Sequence, residues 1–487
     1  MGFRMSSDLE SSDRIHLKFL DRAEIYDIHQ TTMDVLESTG VTVRAEEGLT
    51  VLDKAGADVD YKSKTARLPR YLVEEALKKT SKGFTLYGRT RKHRVRLEGG
   101  RVYFTPSGTG MYVNDLETGK FRQSTLQDIE HFVRLTDALE NIHLPSRMVC
   151  ALDVPENVRH IAEVAAELRN TEKPVLWGEP GRQKVLDGLE VIRAVAGGDE
   201  QLRRRPLVAY SACPVSPLQH DAGNTEGLIE CAKMGIPCNI LCLPMAGATG
   251  PVTLAGNLVV ANAEILSGIT LLEMIHPGLP ILYGGIPVTL DQRTGIPLHG
   301  APENALMSAG TAALGRFYGL PSLARGLSTV AKVPGDQACF EKTLTTLTPL
   351  LAGVNVIFGA GLLEYANTFD FVQTVIDDEI ASALLRTVRR IRVDKETLAE
   401  SVIEEVGIGG SYLGKKHTRD FFAREHWIPK ILDRQTRKGW LDSGAKSLVD
   451  SAKERAKLII KEHRPEPLDQ HTEQRILEIQ KGRSRNR

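Results

Sequence analysis

The sequence predicts an α/β protein built on a TIM (β/α)8 barrel, with mixed α/β structure added before it and helices added after it. Eight short, nearly continuous apolar stretches lie between residues 100 and 390, and each ends in a glycine, a proline or a small polar residue. Segments with helical patterning separate them. Apolar strands that alternate with helices are typical of a parallel sheet covered on both faces, and eight such units close a barrel. The predicted strands are residues 101–106, 147–153, 174–179, 206–211, 237–243, 280–285, 321–328 and 354–361.

The elements divide the chain into three regions. Residues 1–100 are predicted to form a mixed region with helices at 22–40, 46–55 and 69–80 and a strand at 92–97. Gly40 marks the first helix end, since glycine is favoured just past a helix. The barrel is assigned to residues 101–393, with a hairpin at 113–123 and helices at 126–141, 156–171, 224–235, 253–276, 303–318 and 338–353. A C-terminal helical extension, residues 394–487, follows the helix at 371–393, with helices at 395–406, 419–440 and 446–463.

Charge and cysteine content exclude several classes of function. Lys+Arg and Asp+Glu both number 62, which argues against nucleic acid or an anionic membrane as the main partner. No apolar run reaches the roughly 18–20 residues that a membrane span needs. The six cysteines lie in or beside apolar stretches, which indicates buried thiols and a cytoplasmic protein. No three His, Cys or carboxylate ligands fall at a recognised metal spacing, so no metal site is expected.

A TIM barrel carries its chemistry at the carboxyl ends of its strands, which makes candidates of the residues just past each predicted strand. The longest loop, residues 285–303, is also a candidate because long loops at this end are often functional. Lys332 follows the seventh strand and is either a Schiff-base lysine or a solvated loop lysine. The positional candidates are Ser107, Thr109, Asp153, Trp177, Glu179, Tyr210, Cys213, Pro244, Met245, Tyr283, Asp291, Arg293, His299, Glu303, Lys332, Asp336, Gln337, Glu364 and Tyr365.

Five segments resemble a known family of enzymes. They read YSACPVSPLQHD (210–221), PMAGATGPVTLAGNLVVANAEIL (244–266), PGLPILYGGIPVTLDQRTGIPLHGAPE (277–303), AKVPGDQACFEK (331–342) and GGSYLGKKHTRDFFAREHWIPKILDR (409–434). In this order they resemble the trimethylamine methyltransferase family, over roughly residues 20–460.

The resemblance implies a TIM barrel that passes a methyl group from an amine to the corrinoid of a small partner protein, with no cofactor bound permanently by this chain. The trimethylamine enzymes carry pyrrolysine after the seventh strand, near a T-D-S-pyrrolysine-x-x-D-x-Q pattern. Here residues 329–337 read TVAKVPGDQ, so lysine stands at the pyrrolysine position and the acidic residue comes one place late. These departures resemble the branch without pyrrolysine, which acts on quaternary amines such as glycine betaine. The implied catalytic residues are Lys332, Asp336 and Gln337.

A quaternary ammonium is already a cation and departs as a neutral tertiary amine, so the protein mainly has to orient donor and acceptor. Such cations are held by aromatic faces and nearby carboxylates, and a betaine carboxylate favours arginine, for which Arg293 and Arg325 are candidates. The expected substrate-binding residues are Tyr103, Trp177, Tyr210, Tyr283, Asp291, Arg293, His299, Glu303 and Phe358, with Phe104 and Tyr365 as further aromatic candidates.

Two other functions remain open at this point. One is a Schiff-base lyase that uses Lys332, and the other is a barrel that binds a betaine without reacting with it. The sequence also leaves open whether the chain forms a homo-oligomer.

Overall fold

The computed structural model describes residues 15–106 and 108–485. The N-terminal region contains the three predicted helices and the predicted strand, each within two residues of the expected bounds, together with additional short strands. In chain order its elements are α1 (Arg22–Ser38), β1 (Val41–Val43), α2 (Glu46–Lys54), β2 (Asp58–Asp60), β3 (Thr65–Arg67), α3 (Arg70–Lys79), β4 (Phe84–Tyr87) and β5 (Arg94–Leu97). The predicted boundary at residue 100 stays a prediction.

The central region alternates strands and helices as predicted. Its elements are β6 (Tyr103–Pro106), β7 (Tyr112–Asn114), β8 (Phe121–Gln123), α4 (Leu126–Ala138), α5 (Glu156–Arg169), β9 (Val175–Trp177), α6 (Arg182–Ala196), α7 (Asp199–Arg204), β10 (Val208–Ala212), β11 (Gln219–His220), α8 (Ala222–Lys233), β12 (Cys238–Cys242), β13 (Met245–Ala246), α9 (Leu254–Ile275), β14 (Ile281–Gly285), β15 (Val288–Thr289), α10 (Pro302–Phe317), β16 (Ser322–Arg325), α11 (Asp336–Leu351), β17 (Val356–Ala360), β18 (Leu362–Leu363), a 3-10 turn (Glu364–Ala366), β19 (Thr368–Asp370) and α12 (Phe371–Thr387).

In the described residues seven parallel strands form one sheet in the order β6-β17-β16-β14-β12-β10-β9, with β17 paired to β6. Around it the helices α4, α5, α6, α8, α9, α10, α11 and α12 pack in sequence, and α12 contacts α4 to close the ring. The TIM-barrel fold class is therefore confirmed, as a nearly closed seven-stranded barrel inside a ring of eight helices.

The second predicted strand, at residues 147–153, is wrong, because the structure forms no strand there. Within the described chain, Val149 makes only an isolated bridge to Gly110. Irregular backbone fills the place between β6 and β9, where the amides of His143 and Leu144 both donate to the carbonyl oxygen of Phe104, at 2.9 and 3.3 Å. Pro145 follows, and a proline cannot donate to a strand ladder. We call this interruption between β6 and β9 the seam.

The hairpin β4–β5 closes the amino-terminal end of the barrel. Leu86, Val95 and Leu97 of this hairpin are buried in one cluster with inward-facing side chains of the barrel strands, among them Leu282 and Leu323. Apolar side chains from the hairpin thus fill the barrel base, and the open end is the carboxyl end of the strands.

Helix α9 is the most apolar helix of the described chain. By length and composition it could cross a membrane, but 78% of its most apolar window is buried within this fold. The helices α1, α2 and α3 pack on it, and β1 pairs with β11 of the barrel region. The burial of α9 is that of a core helix covered by the N-terminal region.

The C-terminal helices are α13 (Lys395–Leu398), α14 (Glu400–Val406), α15 (Lys416–Glu425), α16 (Arg437–Asp442), α17 (Leu448–Glu462) and α18 (Gln470–Arg485). Helix α17 packs on α12 and α4, and α18 packs on α5 and α6. The helix predicted at 419–440 is wrong, because Pro429 lies inside it and proline breaks a helix interior. None of the described side chains of α13 to α16 is buried. We call residues 389–447 the arm.

Candidate functional site

A cavity of about 220 Å³ lies at the carboxyl ends of β9 and β10, beside the seam. This is the end of the barrel at which TIM-barrel chemistry takes place. The wall combines backbone from the strand ends with a few polar and aromatic side chains. The lining residues are Gly108, Thr109, Ser146, Arg147, Glu167, Leu176, Trp177, Gly178, Glu179, Pro180, Ser211, Ala212, Cys213, Asn224, Leu241 and Phe358.

Arg147 occupies the seam and joins two carboxylates. Its Nη1 donates to Glu179 Oε2 at 2.9 Å and to a carboxylate oxygen of Glu163, and its Nη2 donates to the carbonyl oxygen of Gly178 at 3.3 Å. The other oxygen of Glu163 accepts from the amide of Ala151 at 2.7 Å. Burial alone would lower the pKa of Arg147, but Glu163 and Glu179 raise it by more, so the guanidinium stays cationic. The interrupted strand thus makes room for a buried charge cluster.

Glu167 adds a third carboxyl group that this cluster does not neutralise. It lies one helical turn beyond Glu163 on α5, is 1% exposed, and its Oε1 has no hydrogen-bond partner among the described residues. Burial raises the pKa of Glu167 to about 8, although the charge of Arg147 opposes the shift. Arg147 pairs with Glu163 and Glu179, and Lys184 Nζ lies 4.0 Å from Glu179, so Glu167 is left without an ion-pair partner in this cluster. A pKa of about 8 keeps Glu167 protonated at neutral pH, and a cation bound beside it would favour its ionised form.

The opposite side of the barrel interior carries a buried cation. Arg325 is 1% exposed and His299 is 5% exposed, and Arg325 Nη1 lies 3.1 Å from His299 Nδ1. Burial and the charge of Arg325 lower the pKa of His299 well below its usual range, so the neutral ring accepts this hydrogen bond. Burial lowers the pKa of Arg325 to about 10, which leaves the guanidinium charged at neutral pH.

Among the expected aromatic residues, Phe358 faces the barrel interior and lines the cavity. Trp177 also belongs to the wall, but its ring packs outward on α6, where a Cβ at Gly188 would lie 2.4 Å from Trp177 Cζ2. Only glycine fits at that position.

The structure does not bring the three expected tyrosines to this cavity, and their part in substrate binding stays a prediction. Tyr210 and Tyr283 face the helices, where their hydroxyls donate to Glu179 O at 2.7 Å and Asn262 Oδ1 at 2.9 Å. Tyr103 faces inward at the base, where its hydroxyl accepts from the amide of Arg96 at 3.1 Å. Neighbouring strand residues face opposite sides, and near-continuous apolar strands conceal which side is which.

The predicted catalytic residues lie outside the cavity. Lys332, Asp336 and Gln337 are all exposed, Lys332 Nζ donates to the carbonyl oxygen of Val330 at 2.9 Å, and Gln337 Nε2 donates to Glu341 Oε1 at 2.8 Å. They follow β16, next to the loop after β14, at the same end of the barrel, as the sequence predicts. Their catalytic role stays a prediction, but a solvated ammonium lacks the buried setting that activates a Schiff-base lysine.

The loop at residues 285–303 splits into exposed and buried parts. Arg293 is exposed and pairs with Asp291 of its own turn at 3.0 Å, and Glu303 is exposed at the start of α10. His299 alone among these four reaches the barrel interior, through its contact with Arg325.

Four of the positional candidates, Thr109, Trp177, Glu179 and Cys213, line this cavity, and their roles stay predictions. Ser107 lies outside the described residues. Sequence reasoning missed Arg147, Glu163 and Glu167. The apolar face of the helix at 156–171 contains two glutamates one turn apart, and that pattern could have indicated a buried site.

Comparison with known proteins decides the family. Residues 7–486 match the family described as Trimethylamine methyltransferase (MTTB). The chain belongs to this family. It is 38% identical over 445 residues to trimethylamine methyltransferase MttB of Desulfitobacterium hafniense, covering 91% of this chain and 90% of the relative.

Further relatives carry two different names within the same family. Trimethylamine methyltransferase MttB of Methanosarcina barkeri is 38% identical, with 93% of each chain covered. A glycine betaine methyltransferase of Desulfitobacterium hafniense is 34% identical, with 86% of this chain and 88% of the relative covered. Membership of this family makes the chain a methyltransferase.

A solved structure supports the fold. The monomethylamine methyltransferase (MtmB) of Methanosarcina barkeri superposes with a TM-score of 0.54 at 12% identity, covering 93% of this chain and 90% of that one. Among residues 15–106 and 108–485, no group of three or more His, Cys, Asp or Glu side chains could hold a metal ion. That the chain holds no metal stays a prediction.

Proposed function

We propose that this methyltransferase transfers a methyl group from a quaternary amine of the glycine betaine kind to the Co(I) corrinoid of a small partner protein. The observation that carries the proposal is the buried acidic side of the cavity, where Glu167 Oε1 has no hydrogen-bond partner among the described residues and a bound ammonium would favour the ionised form of this carboxyl. A quaternary ammonium brings a permanent positive charge and no hydrogen-bond donor, so it suits a site made of a carboxylate and an aromatic face. Phe358 supplies that face.

In this reaction the chain mainly has to bind the amine and orient it toward the methyl acceptor. When the C–N bond breaks, its electron pair stays on nitrogen and the amine departs neutral, so no proton has to be supplied to the leaving group. The carboxylate of Glu167 and the ring of Phe358 hold the ammonium, and the mouth of the cavity directs a methyl group toward the methyl acceptor. Positioning of this kind contributes several kcal/mol to a displacement.

The family relatives support a corrinoid protein as partner and a small amine as substrate. Lysine at position 332, in place of pyrrolysine, favours the quaternary amine over trimethylamine. A cytoplasmic location is part of the proposal, because all six cysteines are free thiols and reduced thiols are typical of the cytosol.

Methyl transfer to free Co(I)-cobalamin, followed spectroscopically with a panel of quaternary and tertiary amines, tests the proposal. We expect transfer from at least one quaternary amine and none from trimethylamine. Glu167→Gln should lower kcat/KM by about 10-fold or more because the counter-charge is lost, whereas Glu303→Gln, an exposed carboxylate at the same end, should change it less than twofold.

The rival functions give other results. Borohydride trapping of a carbonyl substrate on Lys332 would establish the lyase, and tight binding of a betaine without any methyl transfer would establish the non-catalytic barrel. Mass analysis of the peptide containing residue 332 checks that lysine, not pyrrolysine, stands there.

A further inference from the structure

A second cavity, of about 340 Å³, lies at the amino-terminal end of the barrel, opposite the cavity beside the seam. Its wall comes from the end of α10 and from the loops that precede β4, β6, β16 and β17. Small-molecule sites have volumes of about 300–1,000 Å³, so this space is large enough for a metabolite. We call it the basal cavity, and the residues that line it include Lys82, Gly99, Arg316, Leu320, Gly353 and Asn355.

Two cationic side chains from different elements line the basal cavity. Lys82 Nζ donates to the carbonyl oxygens of Leu77 and Tyr318, at 2.7 and 3.1 Å. Arg316 Nη2 donates to the carbonyl oxygen of Ala352. An ammonium has three N–H donors and a guanidinium has five, so both side chains keep donors that these carbonyl groups do not use.

The charge of these two side chains is not neutralised by a direct ion pair. Within the part of the chain that the structure describes, neither Lys82 nor Arg316 pairs with a carboxylate. Burial lowers the pKa of Arg316, and no carboxylate opposes the shift. Burial also lowers the pKa of Lys82 against the opposing charge of Glu273, but Glu273 Oε2 accepts from the amide of Gly278 at 2.7 Å. Partly desolvated cations of this kind are stabilised by a bound anion.

Asn355 connects the loops that form the wall of the basal cavity. This side chain is 5% exposed, and its Oδ1 accepts from the amide of Ser322 at 3.0 Å. Its Nδ2 donates to the carbonyl oxygens of Gly99 and Arg101, at 2.9 and 3.1 Å. One buried amide thus joins the loops before β6, β16 and β17, so the cavity is a preformed part of the fold.

Gly353 brings a third polar group to the same wall. Its φ of +84° lies in the left-handed region, and a Cβ there would lie 3.0 Å from His16 Nδ1 and 3.4 Å from Arg316 Nη2. Glycine is suited to this backbone conformation and to this close approach. The imidazole of His16 and the guanidinium therefore lie against the same stretch of backbone.

We infer that the basal cavity is a second ligand site, which binds a small phosphate monoester through Lys82 and Arg316. A phosphate group carries about two negative charges at neutral pH and three acceptor oxygens, which match two cations with unused donors. A carboxylate would neutralise only one of them. The lining side chains of Ala312, Leu320 and Pro321 supply apolar contacts for the organic part of the ester. The inference is independent of the proposed function, because the two cavities lie at opposite ends of the barrel.

A purely structural role for the two cations makes a different prediction. The carbonyl groups that they bind lie at the ends of α3, α10 and α11, where positive charge is favoured. If capping were their whole function, no ligand would bind. Binding therefore separates the two interpretations.

Calorimetric titration of the full chain with phenyl phosphate, inorganic phosphate and benzoate tests the inference. Phenyl phosphate should bind at one site per chain, and at least about 10-fold more tightly than benzoate, which has the same ring and one charge fewer. It should also bind more tightly than inorganic phosphate, because the ring adds apolar contact. Inorganic phosphate bound as tightly as the ester would assign the site to the free ion and overturn the ester.

Variants locate the binding. Arg316→Gln and Lys82→Gln should each weaken phenyl phosphate by about 10-fold or more, and because the two residues belong to different elements, either variant tests the site if the other does not fold. Arg293→Gln is the matched control, since the Arg293 side chain is 88% exposed and paired with Asp291 at the other end of the barrel; it should leave the affinity unchanged. Absence of saturable binding up to about 10 mM, or equal affinity in the wild type and the folded Gln variants, would overturn the inference.

Discussion

Glu167 makes the stability of this protein depend on pH. Its ordinary pKa of 4.5 rises to about 8 in the folded chain, so between these values the native state holds a proton that the unfolded chain releases. Stability from this group is therefore present below about pH 4.5 and is lost as pH rises toward 8. The slope is at most about 1.4 kcal/mol per pH unit.

We therefore expect the free energy of unfolding of the wild type to fall more between pH 6 and 8 than that of Glu167→Gln. Urea unfolding at both pH values measures the difference, and Glu303→Gln should behave as the wild type does. Parallel pH dependence in all three proteins would show that Glu167 is ionised in the native state.

Phe358 is the residue at which recognition of positive charge can be separated from recognition of shape. Phe358→Leu should weaken binding of glycine betaine by about 0.5–2 kcal/mol beyond any loss for 3,3-dimethylbutanoate, in which carbon replaces the ammonium nitrogen. Competition binding with both ligands measures this difference. Tyr283→Phe, in the helix layer, should leave the preference unchanged, and equal losses for both ligands in Phe358→Leu would mean that the ring supplies only volume.

For single residues, the sequence predicts which positions lie near the cavity better than it predicts the side to which each side chain points. Residues that follow a strand, such as Glu179 and Cys213, reach the cavity as expected. The side to which Tyr210 and Tyr283 point does not follow from their strands, because a strand buried on both faces has no polar alternation to mark the interior.

Among the elements, α11 and α12 are tied by one fully buried ion pair. Lys342 Nζ lies 2.7 Å from Asp377 Oδ2, and both side chains are 0% exposed. Asp377 Oδ2 also accepts from the amide of Gly361 at 2.6 Å, and Oδ1 accepts from Gln373 Nε2 at 2.8 Å. The carboxylate therefore fixes the chain just after β17 against the first half of α12.

Lys342→Met should cost about 3–5 kcal/mol of unfolding free energy, because it leaves Asp377 buried without its counter-charge. The double variant Lys342→Met, Asp377→Leu should recover part of this loss. Urea unfolding of the two single variants and the double variant measures the coupling. Simple addition of the single losses would mean that the pair acts as two independent polar groups.

The seam shows what a strand pattern cannot predict. Residues 147–153 are apolar enough for a strand, but Arg147 lies at their start and Pro145 lies just before. Burial of Arg147 with Glu163 and Glu179 uses the space that a regular ladder would occupy. The arrangement depends on residues far apart in sequence, so local pattern alone does not reveal it.

At the scale of the whole molecule, the arm carries the most exposed large apolar side chains of the described residues. Ile408 and Leu413 are 109% and 90% exposed, and Ile391 and Val393 are 83% and 71% exposed. The arm leaves α12 at the amino-terminal end of the barrel, opposite the cavity mouth, so a protein seated at the mouth does not cover its start. A second copy of this chain is the occupant we expect, and the zero net charge favours self-association.

Sedimentation velocity should accordingly show an oligomer for the wild type and a smaller species for the variant Ile408→Glu, Leu413→Glu. Val333→Glu, an equally apolar change at the mouth, where Val333 is 64% exposed, should leave the oligomer intact. A monomeric wild type at micromolar concentration would contradict this expectation.

The hairpin β4–β5 at the base of the barrel has a consequence for the order of events in turnover. Because apolar side chains fill the base, we expect the amine and the methyl acceptor to use the same opening, which a docked acceptor would block. The amine would then enter first and the demethylated product would leave last, which is a compulsory-order scheme. Excess partner protein should slow the reaction, because it would occupy enzyme that has not yet bound its amine.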